Sequence, residues 1–112
     1  MIHLIFVISQ LIQIFSPEVE VHAVDPCLIF GSVYVTDEPH QADIWVYEES
    51  TEAFADLMVY VEENNLMADR EGTWFFEENK GFARFRIYFV DDRNKSHFSV
   101  YFTDVASFAG CK

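Results

Sequence analysis

The stretch Val33-Tyr34-Val35-Thr36-Asp37-Glu38-Pro39-His40-Gln41-Ala42-Asp43 recurs, with variation, to the end of the chain. Each copy opens on an apolar-aromatic pair: Val33-Tyr34, Val46-Tyr47, Val59-Tyr60, Thr73-Trp74, Ile87-Tyr88 and Val100-Tyr101. The rings stand 13, 13, 14, 14 and 13 residues apart. Eight or nine residues after each ring comes a small residue, usually followed by Asp: Ala42-Asp43, Ala55-Asp56, Ala68-Asp69, Ala83-Arg84, Ser96-His97 and Ala109-Gly110. A fixed period means that one unit cannot bury its own apolar face and must stack on its neighbours.

Within a unit, apolar residues alternate. Ile44 and Val46, or Leu57, Val59 and Val61, point one way; Trp45 and Tyr47, or Met58 and Tyr60, point the other. Phe85-Ile87-Phe89 against Arg86-Tyr88-Val90 and Phe98-Val100-Phe102 against Ser99-Tyr101-Thr103 repeat the pattern. Period two in β-branched and aromatic residues predicts short strands. The intervening segments are rich in Asp, Glu, Asn, Pro and Gly, which form turns by bonding their own backbone or presetting φ. Thr51–Ala55 has room for a single helical turn. The fold class is mainly β: one compact domain of six strand-turn repeats. Links this short ordinarily give antiparallel neighbours, because parallel ones need a crossover of about a dozen residues. On spacing alone the alternatives are an antiparallel β-meander and a closed barrel.

The unit at 33–43, its reiteration through Ala55-Asp56-Leu57 and Val59-Tyr60-Val61-Glu62, and the closing Tyr101-Phe102-Thr103-Asp104 with Ala109-Gly110 resemble the septoil-knot family of small bacterial repeat proteins. The resemblance covers nearly all of residues 24–112. It implies a β-rich domain wound as a seven-crossing torus knot, in which sequential strands need not be sheet neighbours. The fourth and fifth repeats depart from the pattern, with Arg84 and His97 in place of Asp. The resemblance brings no catalytic residues and no cofactor.

The chain has 112 residues, enough for one domain, and its net charge is −12. That charge and the lack of a Lys/Arg cluster exclude nucleic acid and anionic membranes as partners and favour cationic ones. Residues 1–23 read as a signal peptide. Leu4 to Phe15 is mostly apolar, Pro17 ends the run, and Val21-His22-Ala23 offers a cleavage site. The run is shorter than the roughly 20 residues that span a bilayer, so no integral membrane segment is expected in the mature domain, 24–112. Cys27 and Cys111 flank the repeats, and in an oxidising compartment they read as a disulfide joining the ends.

Carboxylates stand where strands end: Asp37-Glu38, Glu48-Glu49, Glu62-Glu63, Glu77-Glu78 and Asp91-Asp92, then Asp104 alone. Equivalent repeat positions can approach one another, so Glu48, Glu49, Glu62, Glu63, Glu77, Glu78, Asp91 and Asp92 form a candidate calcium ledge. No stretch has the spacing of a dedicated calcium loop, and the bland reading is a row of solvated turn residues. Asp43, Asp56 and Asp69 read as turn caps. His40 and His97 lack zinc-ligand spacing. Ser32, Ser50, Ser96, Ser99 and Ser107 lack a nucleophile elbow. The tyrosine row reads as packing, with stacking on sugars or a protein as its functional counterpart.

The expected function is that of a secreted or periplasmic, monomeric, non-catalytic structural or interaction module without a cofactor, its partner an unknown protein or a surface glycan. A calcium-binding module and a small hydrolase are the alternatives from other classes.

Overall fold

Six of the seven strands each carry a central residue that faces inward and is fully buried: Val33, Val46, Val59, Trp74, Ile87 and Val100. In this computed structural model, which describes residues 24–112, the strands are β1 (Gly31–Val35), β2 (Ile44–Glu48), β3 (Leu57–Val61), β4 (Thr73–Phe76), β5 (Phe85–Val90), β6 (Phe98–Phe102) and β7 (Gly110–Cys111). A short 3-10 turn precedes each of them, and no α-helix lies among the described residues.

The first six strands are all parallel and close on themselves, in the ring order β4-β1-β5-β2-β6-β3 with β3 pairing back to β4. The closed barrel is therefore the form adopted, and the antiparallel meander is not. The exception is β7, which is short and antiparallel to β3. It adds a seventh strand to the six repeats.

The register explains how links of seven or eight residues can join parallel strands. Ile87 of β5 pairs with Val35, the last residue of β1, on one side, and with Ile44, the first of β2, on the other. Val100 likewise lies between Glu48 and Leu57, Val33 between Phe76 and Phe85, and Val46 between Phe89 and Phe98. Where one strand stops, the next begins at the same level, two ring places on, except that β3 is followed by its direct neighbour β4. No return along the barrel is needed. The connection has only to step across one strand, about 10 Å at the usual strand spacing. It passes outside, since the inside is filled. Residues 36–43 thus straddle β5, 49–56 straddle β6, 77–84 straddle β1, and 91–97 straddle β2. Such stagger corresponds to steeply tilted strands.

The slack in each connection is taken up by its 3-10 turn, closed by the small residue of the repeat. The N–H of Ala42, Ala55, Ala68, Ala83, Ser96 or Ala109 donates to the carbonyl three residues back. Asp25, Asn64, Asn79 and Asp92 cap four of the turns with their side chains.

The chain makes two laps, β1–β3 and then β4–β6, with the second interleaved into the first. This interleaving decides the side chains at one mouth of the barrel. Two residues beyond the central position the second-lap strands carry Phe76, Phe89 and Phe102, whose rings lie 6.2 Å apart across each Phe102 pair. The first-lap strands carry Val35, Glu48 and Val61 there. Three partly buried phenylalanines consequently alternate around the mouth with three exposed, non-aromatic side chains.

Trp74 does not belong to the outward tyrosine row. Its partners Gly31 and Val61 put it at the inward position, where its indole N–H donates to Ile29 O (2.7 Å). The preceding link is longer than the others and passes through Gly72 at φ +79°.

Candidate functional site

The Ala-Asp step of the repeat makes a two-bond clasp. The Asp43 N–H donates to Arg86 O (2.7 Å), and the Arg86 N–H donates back to Asp43 Oδ2 (2.8 Å). Asp56 and Ser99 do the same at 3.0 and 2.9 Å. His97, which breaks the pattern by residue type, keeps it by geometry: its N–H donates to Trp45 O (2.7 Å), and its Nδ1 accepts the Trp45 N–H (2.8 Å). In each case the incoming connection is fastened to the strand it straddles. Asp69 makes no such bond; Glu71 stands in, its Oε2 accepting the Cys111 N–H at 2.8 Å. These carboxylates are architectural.

The hydroxyls of Ser32, Ser96 and Ser99 donate to main-chain carbonyls, those of Phe82, Arg93 and Phe54. Ser99 Oγ also lies 3.3 Å from Asp56 Oδ2, inside the clasp just described. His40 is exposed, 3.7 Å from Glu38.

The eight ledge carboxylates are distributed rather than gathered. Glu48 stands exposed at the barrel mouth, while Glu63, Glu78 and Asp91 are exposed on the connections. Glu62 and Glu77 are half-buried where their strands end, and their N–H groups donate to Trp74 O and Val33 O. Asp92 caps a 3-10 turn by accepting the Asn94 N–H. Glu49 is the most enclosed, with its side chain 10% exposed and Oε2 3.2 Å from Arg93 Nε. That approach is a charge contact rather than an aligned hydrogen bond, since the oxygen lacks a partner of good geometry. Arg93 also donates to Phe54 O (2.9 Å) and so ties two connections together. Among the described residues, three ligand-bearing side chains meet within 4.8 Å at Asp25, Cys27 and Cys111. There the sulfurs are bonded to each other, and Asp25 caps a turn.

What the fold does assemble is a groove. Connections 36–43 and 77–84 run side by side, and between them, above Tyr34, lies an open depression of about 560 Å3. Asp37 and Glu38 line it from one connection, and Glu77, Glu78, Lys80 and Phe82 from the other. Phe82 is 74% exposed. Four carboxylates against one ammonium make the groove electronegative, and Tyr34 and Phe82 supply flat apolar faces. A surface of this kind attracts cations and stacks planar or apolar groups.

Phe82 belongs to a series that the tyrosine period did not reveal. Leu28, Phe54, Met67, Phe82 and Phe108 are the last residues of their 3-10 turns, and all five are exposed. Gln41 and Lys95 hold the same place in the other two. The signal was present as a thirteen-residue spacing, stretched once at the long link, but it falls in segments whose composition reads as solvated turn.

Cys27 and Cys111 are joined, with their Cα atoms 5.5 Å apart. The bond couples the first turn to β7, which is consistent with an extracytoplasmic location. No helix among the described residues is long and apolar enough to cross a membrane. The proposed signal peptide, 1–23, lies outside the described residues.

A closed parallel barrel, wound twice, in which four connections between successive strands pass outside a strand of the other lap and the link from β3 to β4 joins direct neighbours, defines a torus-wound β protein. The 7(1) septoil knot domain matches residues 26–112, and the chain belongs to that family. No curated protein and no solved structure matches it.

Proposed function

We infer that the protein works outside the cytoplasm as a non-catalytic interaction module, its partner docking on the groove above Tyr34. The observation that carries this reading is the contrast between the two sides of the barrel wall. Inside, the six central residues are fully buried and belong to one packed core. Outside, two connections frame an open acidic groove with aromatic surfaces. Tyr and Trp rings dominate binding hot spots, and complementary charge speeds encounter. The partner that fits best is a protein surface presenting Lys or Arg beside an apolar group. A surface glycan would stack on the rings and donate its hydroxyls to the carboxylates, but would leave the groove's negative charge uncompensated. The calcium reading has weaker support, since oxygen ligation at 2.3–2.6 Å needs several carboxylates or carbonyls to converge, and the ledge is distributed.

The test is to titrate isotope-labelled oxidised protein with a lysine-rich peptide and, separately, with a neutral oligosaccharide, reading amide shifts. Peptide-induced shifts confined to 36–43 and 77–84, and lost in Asp37→Asn/Glu78→Gln, are expected. Equal shifts from the oligosaccharide would transfer the groove to glycans. Unmoved groove amides in both titrations would remove it as a docking surface. Location is checked by fractionating cells that express the full chain and alkylating free thiols; cytoplasmic recovery with both cysteines alkylated contradicts export.

A further inference from the structure

We propose that the Cys27–Cys111 bond converts the knotted backbone into a covalently closed knotted ring, so that the winding survives complete unfolding while the bond stays oxidised. Three observations carry this. The bond spans a sequence separation of 84 and encloses all seven strands. The enclosed segment coincides with the septoil knot domain to within a residue at either end. Both cysteines are half-buried at the periphery of the barrel, with Cα atoms 5.5 Å apart. A link that short leaves no room for another stretch of chain to pass through it.

An open knotted chain can untie by withdrawing an end through its loops. A closed ring cannot change its knot type without breaking a covalent bond. Denaturant removes the barrel's hydrogen bonds and packing but leaves the ring's topology untouched. The oxidised chain therefore refolds without threading, whereas the reduced, untied chain must thread again.

The order of events during maturation is then fixed: winding first, oxidation second. Bond formation passes two electrons from the two thiolates to a disulfide-bearing oxidant. One cysteine thiolate first attacks the oxidant's disulfide, breaking its S–S bond and expelling one thiolate, to give a mixed disulfide. The other cysteine then displaces the oxidant's thiolate, and the two thiol protons go to solvent. If this occurs before winding, the product is an unknotted ring of identical composition that cannot reach the native barrel.

The experiment compares two samples of the full chain with the same mass and the same disulfide. One is folded, oxidised and then denatured in guanidinium. The other is assembled by chemical synthesis and oxidised in guanidinium with oxidised glutathione before it has ever folded. We expect the first to elute as the more compact species in denaturant and to regain the native near-ultraviolet dichroism on dilution. We expect the second to elute earlier and to show complete loss of native recovery. Reducing the second sample, refolding it and reoxidising it should restore the native signal, since the chain is then free to thread. Co-elution of the two samples in denaturant, or equal recovery on dilution, would overturn the proposal.

Discussion

Asp43, Asp56 and His97 perform one task with two chemistries. A carboxylate always has an acceptor to offer, whereas an imidazole offers one only from its unprotonated nitrogen. Here that nitrogen is Nδ1, and Nε2 carries the hydrogen. His97→Asp should therefore keep the clasp and leave the urea midpoint within experimental error of wild type, while His97→Ala should lower it. Asp56→Ala removes the acceptor of the Ser99 N–H, whose residue is fully buried. An unsatisfied buried amide costs about 1–3 kcal/mol, and a urea melt of the oxidised protein measures it. The equivalent Asp43→Ala should cost less, because Asp43 and Arg86 are both about half exposed. Equal losses at the two sites would show that solvent does not rescue the Arg86 amide.

Among the elements, β7 packs closely against Gly72 while pairing with β3. A Cβ on Gly72 would lie 2.2 Å from Gly110 N and 2.6 Å from Met58 O, both backbone atoms, and φ there is +79°. Gly72→Ala should therefore displace β7 from β3, with a loss on the order of 3 kcal/mol, in the upper range for a single substitution. Faster hydrogen exchange at Gly110 and Cys111 is the local readout, and unchanged exchange there would contradict the close packing. At the barrel mouth, Phe102 touches Trp74, Phe76 and Phe89. Its ring is partly buried and packed against the core, so removing it should cost somewhat less than the ~3–5 kcal/mol of a fully buried aromatic. The Tyr47 ring, on the outer face of β2 and half-buried, should cost less.

For the molecule as a whole, the disulfide is the largest single adjustable contribution. Closing a loop with a sequence separation of 84 stabilises by about 4–5 kcal/mol on chain-entropy grounds. The Cys27→Ser/Cys111→Ser variant should accordingly unfold at a markedly lower guanidinium midpoint than the oxidised protein. An unchanged midpoint would mean that the winding alone already restricts the unfolded chain. The repeat period, the inward and outward alternation of β2, β3, β5 and β6, the turn chemistry and the cysteine pair were all legible in the sequence, because they depend on near neighbours and on placement along the chain. From the residues alone, strand direction and ring order were not. Short links predict antiparallel neighbours unless each strand starts level with the end of the one before, and that level is set by Ile87, Val100, Val33 and Val46 of the other lap. The same distance in sequence hid the pairing of Trp74 with Gly31, the alternation of phenylalanine with non-aromatic residues at the mouth, and the groove between 36–43 and 77–84. Local propensity and period determined the strands and turns. Only the tertiary structure decided which strands meet, because contacts between laps join residues about fifty positions apart, and no local preference reaches that far.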